Sequence, residues 1–248
     1  MNTFYARFKE NQFVPLGILL GGGMVLVGII AALTALSIKD ASNVISVTGS
    51  AQVAATADTA NWTITATRSA GEGATGGATT LVSSDAKAIQ AYLIKNGVAA
   101  DAITLGAVHT DQDYSYSQDP GAPKRYVVHE DVTISSSTPA LIQSLAQNTQ
   151  ALAAQGINFT TQDPQYYLSA LPTLRVELMG DAVKDAQARA KQIVKNTGQS
   201  VGRLQSASSG VVQVLAAGST DISDYGSYDT STINKQVMVT VRATFQVR

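Results

Sequence analysis

The sequence from Leu171 to Thr197, LPTLRVELMGDAVKDAQARAKQIVKNT, decides the fold class of this 248-residue chain. Its apolar residues recur every three or four positions, which is the spacing of one face of an α-helix. The opposite face is charged, with Asp185 and Arg189 at pairing distance, and Gly198 is a typical residue just past a helix end. We therefore expect one long amphipathic helix. Its apolar face consists of Leu171, Leu174, Leu178, Ala182, Ala186, Ala190 and Ile193.

Segments typical of strands lie on both sides of this helix. Val44–Thr56 and Thr59–Ser69 alternate apolar and polar residues around Ala57-Asp58, which predicts a hairpin. Ile103–Asp113 and Lys124–Ser135 predict a second strand pair. The other predicted strands are Ile157–Tyr167, which Pro164 interrupts, Leu204–Ala216 and Ile233–Val247.

Two more helices are predicted between these strands. The first has apolar residues at helical spacing from Ala78 to Leu93 and ends at Asn96-Gly97. The second begins with Thr138 as N-cap and Pro139 at the first helical position, and it ends before Gly156. The order of elements predicts an α+β fold with mainly antiparallel sheets and packed helices.

A long apolar run lies near the N-terminus. From Asn11 to Ile38 the chain has no Asp, Glu, Lys or Arg, and this length suffices to cross a hydrocarbon core of ~30 Å. Arg7 and Lys9 precede the run, which favours an N-terminus in the cytoplasm. A cleaved signal peptide is the alternative, with Ala35-Leu36-Ser37 as its cleavage site. The expected organisation is a short cytoplasmic N-terminus at 1–12, a transmembrane helix at 13–38, a linker at 39–43 and an extracytoplasmic domain at 44–248.

The expected membrane helix contacts lipid through residues 13–38 and contains several glycines. Gly17 and Gly21 have the GxxxG spacing that lets two membrane helices approach closely. The alternative interpretation is the ordinary glycine content of a membrane helix. We note this pair as a candidate for helix packing.

Composition excludes several classes of function. The net charge of −1 gives no broad electrostatic surface for nucleic acid. The absence of cysteine excludes disulfides, thiolate catalysis, cysteine-rich zinc sites and a lipoprotein anchor. Charged residues make up only 14% of the chain, a sparsely charged surface that favours self-association.

The two histidines, His109 and His129, lie on adjacent predicted strands, and a hairpin centred near Asp119 would place them opposite each other. Such a pair suggests a metal site. However, His109 has the parity of the apolar face of its strand, and His129 has the opposite parity. Opposite residues of an antiparallel pair point to the same side, so the two rings should face away from each other unless a bulge intervenes. We expect polar residues at a sheet edge or subunit contact, with no metal ligand and no cofactor. The neighbouring carboxylates are Asp111, Asp113, Glu130 and Asp131.

Other candidate sites are weaker. No GxSxG or SxxK motif is present, so the sequence predicts no catalytic residues. Three aspartates in the loop Gly218–Thr232 could hold calcium, but their spacing is not that of an EF-hand, and a solvated loop is the simpler interpretation. Tyrosines in the two longest loops are candidates for oligomer or partner contacts, or for packing onto their own domain. The aspartates are Asp221, Asp224 and Asp229, and the tyrosines are Tyr114, Tyr116, Tyr225 and Tyr228.

Several short motifs resemble one family in their order and spacing. Ile45-Ser46-Val47-Thr48-Gly49 opens the first strand, Asp58-Thr59-Ala60 follows, and Gly97-Val98 precedes Asp101-Ala102-Ile103-Thr104. The segment from Ala182 to Ala190 then leads to Gly198 and Val201-Gly202-Arg203-Leu204. Over Val44–Arg248 the chain resembles the SIMPL domain family (DUF541), which includes a Brucella periplasmic antigen and related bacterial envelope proteins.

The resemblance implies an envelope protein without a shared catalytic motif. Some members form ring-like or channel-like homo-oligomers, and the family has loose links to oxidative-stress tolerance. Many members are secreted, and the long apolar run of this chain departs from them. The run and the resemblance together predict a single-pass protein of a bacterial inner membrane with its domain in the periplasm. Two hypotheses follow. The first is a non-enzymatic, membrane-anchored protein that assembles into a ring-like or cage-like homo-oligomer with a scaffold or stress-protective role. The second is a ligand- or metal-binding sensor or hydrolase that works as a monomer or dimer.

Overall fold

The computed structural model describes residues 13–114, 121, 123–221 and 223–248. Helices and antiparallel-rich sheets confirm the predicted α+β class. The helices are α1 (Phe13–Ser42), α2 (Thr75–Lys95), α3 (Pro139–Gln147), α4 (Gln150–Ala153) and α5 (Leu171–Val194), with a short 3₁₀ turn at Ala100–Ala102. The strands are β1 (Val44–Thr56), β2 (Thr59–Gly71), β3 (Ile103–Gln112), β4 (Arg125–Ser136), β5 (Phe159–Thr161), β6 (Gln165–Tyr167), β7 (Val201–Ala216), β8 (Ser227–Tyr228) and β9 (Asn234–Val247).

The strands form two sheets. One has the order β1-β9-β7-β8, and the other has the order β3-β4-β2-β5 with β6 also paired to β2. The predicted hairpin between β1 and β2 is wrong, because these strands belong to different sheets. Ala57 donates its backbone N–H to Ile233 and Asp58 donates its own to Tyr167, so this connection is bonded to other segments and does not close a turn.

The chain divides into two compact units. Unit 1 comprises Met1–Gly49, Val183–Ser208 and Val241–Arg248, and unit 2 comprises Ser50–Ala182 and Ser209–Thr240. Residues 44–248 therefore contribute to both units.

The core of unit 2 lies between α2 and the inner face of β2 and β4. Alternate residues of both strands are buried, as a half-buried antiparallel sheet requires. Trp62 is the largest buried side chain, and its ring N–H donates to Thr161 Oγ1 at 2.6 Å and to the Gln162 carbonyl at 3.0 Å. These bonds hold the β5 segment against β2. As predicted, Pro164 interrupts this region, since it separates β5 from β6.

The core of unit 1 is small and alanine-rich. Ala186 and Ala190 of α5 are fully buried and cluster with Val47 of β1 and with Ala243 and Phe245 of β9. Side chains of one carbon let a helix backbone approach a sheet closely, so this contact leaves little room for a larger residue. Gly198 follows the helix with a φ of +71°, as expected of a residue past a helix end.

Two helix details differ from the sequence prediction. The Thr138 side chain does not cap α3; its hydroxyl shares a 2.8 Å hydrogen bond with Ser136, whose Oγ also accepts the Thr138 N–H. The predicted single helix is interrupted after Gln147, where the Asn148 side-chain amide donates to the Ser144 carbonyl at 2.7 Å. Asparagine commonly competes with helical backbone bonds in this way.

Helix α1 is long and apolar enough to cross a membrane, over Leu16–Thr34, and none of that stretch is buried within the protein. The helix continues to Ser42, through most of the segment 39–43 expected as a linker. Strand β1 begins at Val44, so Asn43 alone separates the two elements. Its carbonyl accepts the Val247 N–H at 2.9 Å, which ties this residue to β9.

The close contact of α5 with its sheet can be tested by enlarging one alanine. We expect Ala186→Leu to lower the free energy of unfolding by about 1–3 kcal/mol, because the extra carbons have no space in a packed core. Ala188→Leu is the matched control, since Ala188 lies exposed on the same helix. Chemical unfolding followed by circular dichroism measures both, and equal stability of the two variants would contradict the packing described here.

Candidate functional site

The two histidines lie side by side on the second sheet. Leu105 pairs with Val132 and Val108 with Glu130, so β3 uses three steps where β4 uses two. This bulge at Gly106-Ala107 reverses the faces of the following β3 residues. His109 therefore pairs directly with His129, and the ring centroids are 5.5 Å apart. The rings were expected to face away from each other unless a bulge intervened. The bulge is present, so this expectation is wrong.

The surroundings of the histidine pair are polar. His129 Nδ1 lies 3.6 Å from the Asp111 carboxylate, and Thr67 of β2 is the neighbour of His129 on its other side. On the same face Thr65 donates to Asp131 at 2.6 Å. The described part of the chain contains no group of three or more His, Cys, Asp or Glu side chains placed to hold a metal ion. The geometry gives a stacked pair on a hydroxyl-rich sheet face.

The inner face of the same strands carries a buried polar cluster. Arg68 makes two hydrogen bonds to Asp85 of α2, at 2.6 and 3.0 Å. These bonds raise the pKa of Arg68 above its ordinary value. Glu130 is buried nearby on β4 and accepts a 2.8 Å bond from Ser83. All four groups are satisfied within the fold and join α2 to the sheet, so the cluster is structural.

The tyrosine candidates divide into two groups. The Tyr228 hydroxyl accepts the Leu168 N–H at 2.9 Å and its ring lies 5.9 Å from that of Tyr167, so Tyr228 packs onto its own unit. Tyr225 and Tyr114 are 96% and 75% exposed and remain available for contacts. Tyr116 lies outside the described residues.

Among the described residues, the three aspartates considered for calcium do not form a group placed to hold a metal ion. Asp221 and Asp224 are exposed, whereas Asp229 binds groups of its own loop. Its carboxylate accepts Ser231 Oγ at 2.6 Å and the Thr232 N–H at 3.2 Å, and Lys235 Nζ lies 3.4 Å away. The Lys235 side chain is fully buried, and it also donates to the Asp229 carbonyl.

These contacts set the ionisation of the Asp229–Lys235 pair. Burial raises the pKa of Asp229, but the hydrogen bonds from Ser231 and Thr232 and the charge of Lys235 outweigh it and hold that pKa well below the usual range. Burial lowers the pKa of Lys235, and Asp229 opposes that effect. The pair joins the loop to the start of β9, so its role is structural.

The first sheet has two open edges within unit 1. Strand β1 ends the sheet, and β8 covers β7 only at Gln213 and Val214. Among the described residues, Val44–Gly49 and Val201–Ser208 have no backbone partner on the side away from β9. Neither segment contains proline, and Arg203 is the one charged residue in the two together. Proteins usually protect edges with charges, proline or bulges, so these edges are suited to pair with another strand.

The two edge strands run in the same direction. Val247 donates to Asn43, and Thr244 Oγ1 lies 3.3 Å from Ser46 Oγ, so β1 is antiparallel to β9. Ser200 and Arg248 exchange backbone hydrogen bonds of 2.7 and 2.9 Å, so β7 is also antiparallel to β9. The sequence predicted a strand at Leu204–Ala216 but did not indicate its open edge. The run of uncharged residues from Leu204 to Ala216 is the signal that could have indicated it.

Gly17 and Gly21 of α1 face open space. A Cβ atom built at either position meets no atom within 4 Å. The helix surface is therefore open at these positions, and its packing against another helix stays a prediction.

Residues 45–247 match the model of the SIMPL family, whose description is "Protein of unknown function (DUF541)". No curated protein matches the chain.

The Asp229–Lys235 pair leads to a prediction of pH dependence. The folded state holds the pKa of Asp229 below its unfolded value of about 3.9. Its stabilising contribution is therefore complete above about pH 4 and is lost as the pH falls towards the folded pKa. We expect Asp229→Asn to cost about 3 kcal/mol at neutral pH, because it leaves a buried lysine without its counter-charge. The difference in free energy of unfolding between the wild type and this variant should become smaller below about pH 4.

Urea unfolding at several pH values measures this effect. Asp224→Asn is the matched control in the same loop, since Asp224 is exposed, and its effect should stay within about 0.5 kcal/mol. A deficit of Asp229→Asn that does not change with pH would show that the lost contact is not ionic.

Proposed function

The chain belongs to the SIMPL family, and from this membership and its surface we propose a membrane-anchored, non-enzymatic envelope protein that assembles into a closed homo-oligomer. Helix α1 crosses the inner membrane of a bacterium once, with the N-terminus in the cytoplasm and residues 44–248 in the periplasm. The oligomer is ring-like or cage-like and serves as a scaffold or stress-protective structure. The observation that carries the proposal is the pair of open, nearly uncharged edges of the first sheet.

The edges favour a head-to-tail contact. Because β1 and β7 run in the same direction, the β7 edge of one copy can add to the β1 edge of the next as a parallel neighbour. Such a contact uses two different surfaces of each subunit, and it closes a ring when the rotation between copies is a whole fraction of a full turn. Like edges could also pair around a two-fold axis, which would give dimers. The exposed Tyr225 and Tyr114 add contact area suited to an interface.

The anchoring proposal rests on α1. Its apolar side chains are exposed throughout Leu16–Thr34, and water is a poor solvent for such a surface. In a bilayer the same side chains contact lipid. The open surfaces at Gly17 and Gly21 then allow helices of neighbouring subunits to touch, so assembly in the membrane and at the sheet edges would act together.

The histidine pair favours a second candidate function. His109 and His129 are adjacent and accessible from solvent, with Asp111 beside them. Two imidazoles supply two of the ligands that a transition metal needs, and tight binding requires a third ligand from the protein. In this alternative the chain is a metal- or ligand-dependent sensor or hydrolase.

The assembly proposal predicts one defined oligomer. Native mass spectrometry of the full-length chain in neutral detergent should show a single high-mass species, because a closed ring has a fixed subunit number. We expect Ser206→Lys with Ser208→Lys on the β7 edge to weaken association at least about tenfold, or about 1.4 kcal/mol, since lysines on an edge oppose strand addition. Ser84→Lys with Ser144→Lys, on exposed helix positions, is the control of equal charge. A monomeric wild-type chain would refute the proposal.

The alternative is tested by metal content. Zinc, copper or nickel retained by the purified chain, and lost in His109→Ala or His129→Ala, would favour the sensor or hydrolase. Under the assembly proposal we expect these variants to keep the oligomer and to bind no less metal than the wild type. Inductively coupled plasma mass spectrometry after dialysis against each metal gives the stoichiometry.

A further inference from the structure

Positive charges predominate in unit 1 and negative charges predominate in unit 2. Unit 1 beyond α1, which is residues 43–49, 183–208 and 241–248, carries seven Lys or Arg side chains and only one Asp. Unit 2 carries seven Lys or Arg against fifteen Asp or Glu. The overall charge of −1 therefore conceals a basic unit and an acidic unit. The charged residues of this part of unit 1 are Lys184, Asp185, Arg189, Lys191, Lys195, Arg203, Arg242 and Arg248.

Five of these cations face solvent, and the described residues offer none of them an ion-pair partner. Two lie near the end of α5, where a positive charge also stabilises the helix dipole. The other three lie on or after strands, where that explanation does not apply. A surface with this many unpaired charges of one sign attracts anions. The five are Lys191, Lys195, Arg203, Arg242 and Arg248.

Part of this surface forms a cleft in unit 1. Lys191 in the last turn of α5 and Lys195 just after the helix line it together with Gln192, Gln199, Ser200 and two valines, and its volume is about 430 Å³. Ammonium, amide and hydroxyl groups are the donors that bind phosphate oxygens. No carboxylate lines the cleft, so its chemistry suits a phosphate monoester or diester.

The position of unit 1 in the chain indicates where the phosphate comes from. Asn43 alone separates α1 from β1, and both elements belong to unit 1 at this point. If α1 crosses the bilayer, unit 1 begins within a few ångströms of the headgroups. Attraction of cations to an anionic membrane surface acts over a Debye length of about 10 Å. Unit 1 therefore lies within reach of the lipid phosphates, whereas a soluble phosphate has no such proximity.

We propose that the cleft at Lys191 and Lys195, within the basic surface of unit 1, binds the headgroups of anionic phospholipids in the leaflet from which α1 emerges. This inference rests on the proposed membrane anchor and goes beyond it, because it assigns a ligand class to a folded part of the chain. Lipid binding orients unit 1 at the membrane surface and makes the stability of the protein depend on the lipid composition.

The test uses the full-length chain in neutral detergent, titrated with phosphatidylglycerol or with phosphatidylcholine and observed by native mass spectrometry. We expect preferential binding of phosphatidylglycerol to the wild type. Lys191→Glu with Lys195→Glu should weaken that binding at least about tenfold. Lys87→Glu with Lys95→Glu is the matched control, because both residues are exposed in α2 of unit 2 and the charge change is the same. Thermal unfolding confirms that both variants are folded.

Three results would overturn the inference. The first is equal binding of the two lipids by the wild type, or an equal loss of phosphatidylglycerol binding in the two double variants. The second is displacement of phosphatidylglycerol by millimolar glycerol phosphate, which would indicate a site for a soluble phosphate. The third is loss of the oligomer in Lys191→Glu with Lys195→Glu while lipid binding persists, which would place the acidic unit of another copy on this surface. Two other measurements test the proposed function separately. Release of the chain from membranes by alkaline carbonate would contradict the membrane anchor, and a monomeric wild type would contradict the oligomer.

Discussion

The register between β2 and β4 is the constraint on which unit 2 depends. It runs from Ala60 opposite Ser136 to Gly71 opposite Arg125 without interruption. Because the side-chain period of a strand is two residues, this one register decides which residues of both strands face the core. It places Trp62 and Glu130 inside and His129 outside. The packing of α2, the buried polar cluster and the polar outer face all follow from it.

The sequence allowed most elements and the β3–β4 pair to be predicted, but not the partner of β1. Alternation and helical spacing indicated the strands and helices, since these patterns arise from the period of each element. The pairing of β1 depends on contacts with β9, almost 200 residues away, and alternation contains no information about them. The same limit applies to the histidine pair. A single extra residue at Gly106-Ala107 reversed the facing that parity predicted, and glycine was the one local sign that a bulge was possible.

The candidate surfaces were harder to predict than the fold. They depend on which strands and charges lie next to a residue in space, and the order of the sequence does not give this. The β7 segment has an ordinary strand sequence, and its open edge becomes visible only once the sheet order is known. The division of charge was equally hidden. Unit 1 combines three distant segments of the chain, so a count along the sequence averages its cations with the carboxylates of unit 2. The near-neutral composition of the whole chain concealed the basic unit to which the apolar helix belongs.

The single residue between α1 and β1 gives the chain an unusual mechanical property. Asn43 is held to β9 by the Val247 N–H, so no slack separates the apolar helix from the sheet. In a bilayer, any change in the tilt or rotation of α1, such as that caused by a change in membrane thickness, would be transmitted to the sheet as torque. A flexible tether would absorb the same motion. In a membrane-anchored chain, the orientation of the sheet would therefore follow the tilt of α1.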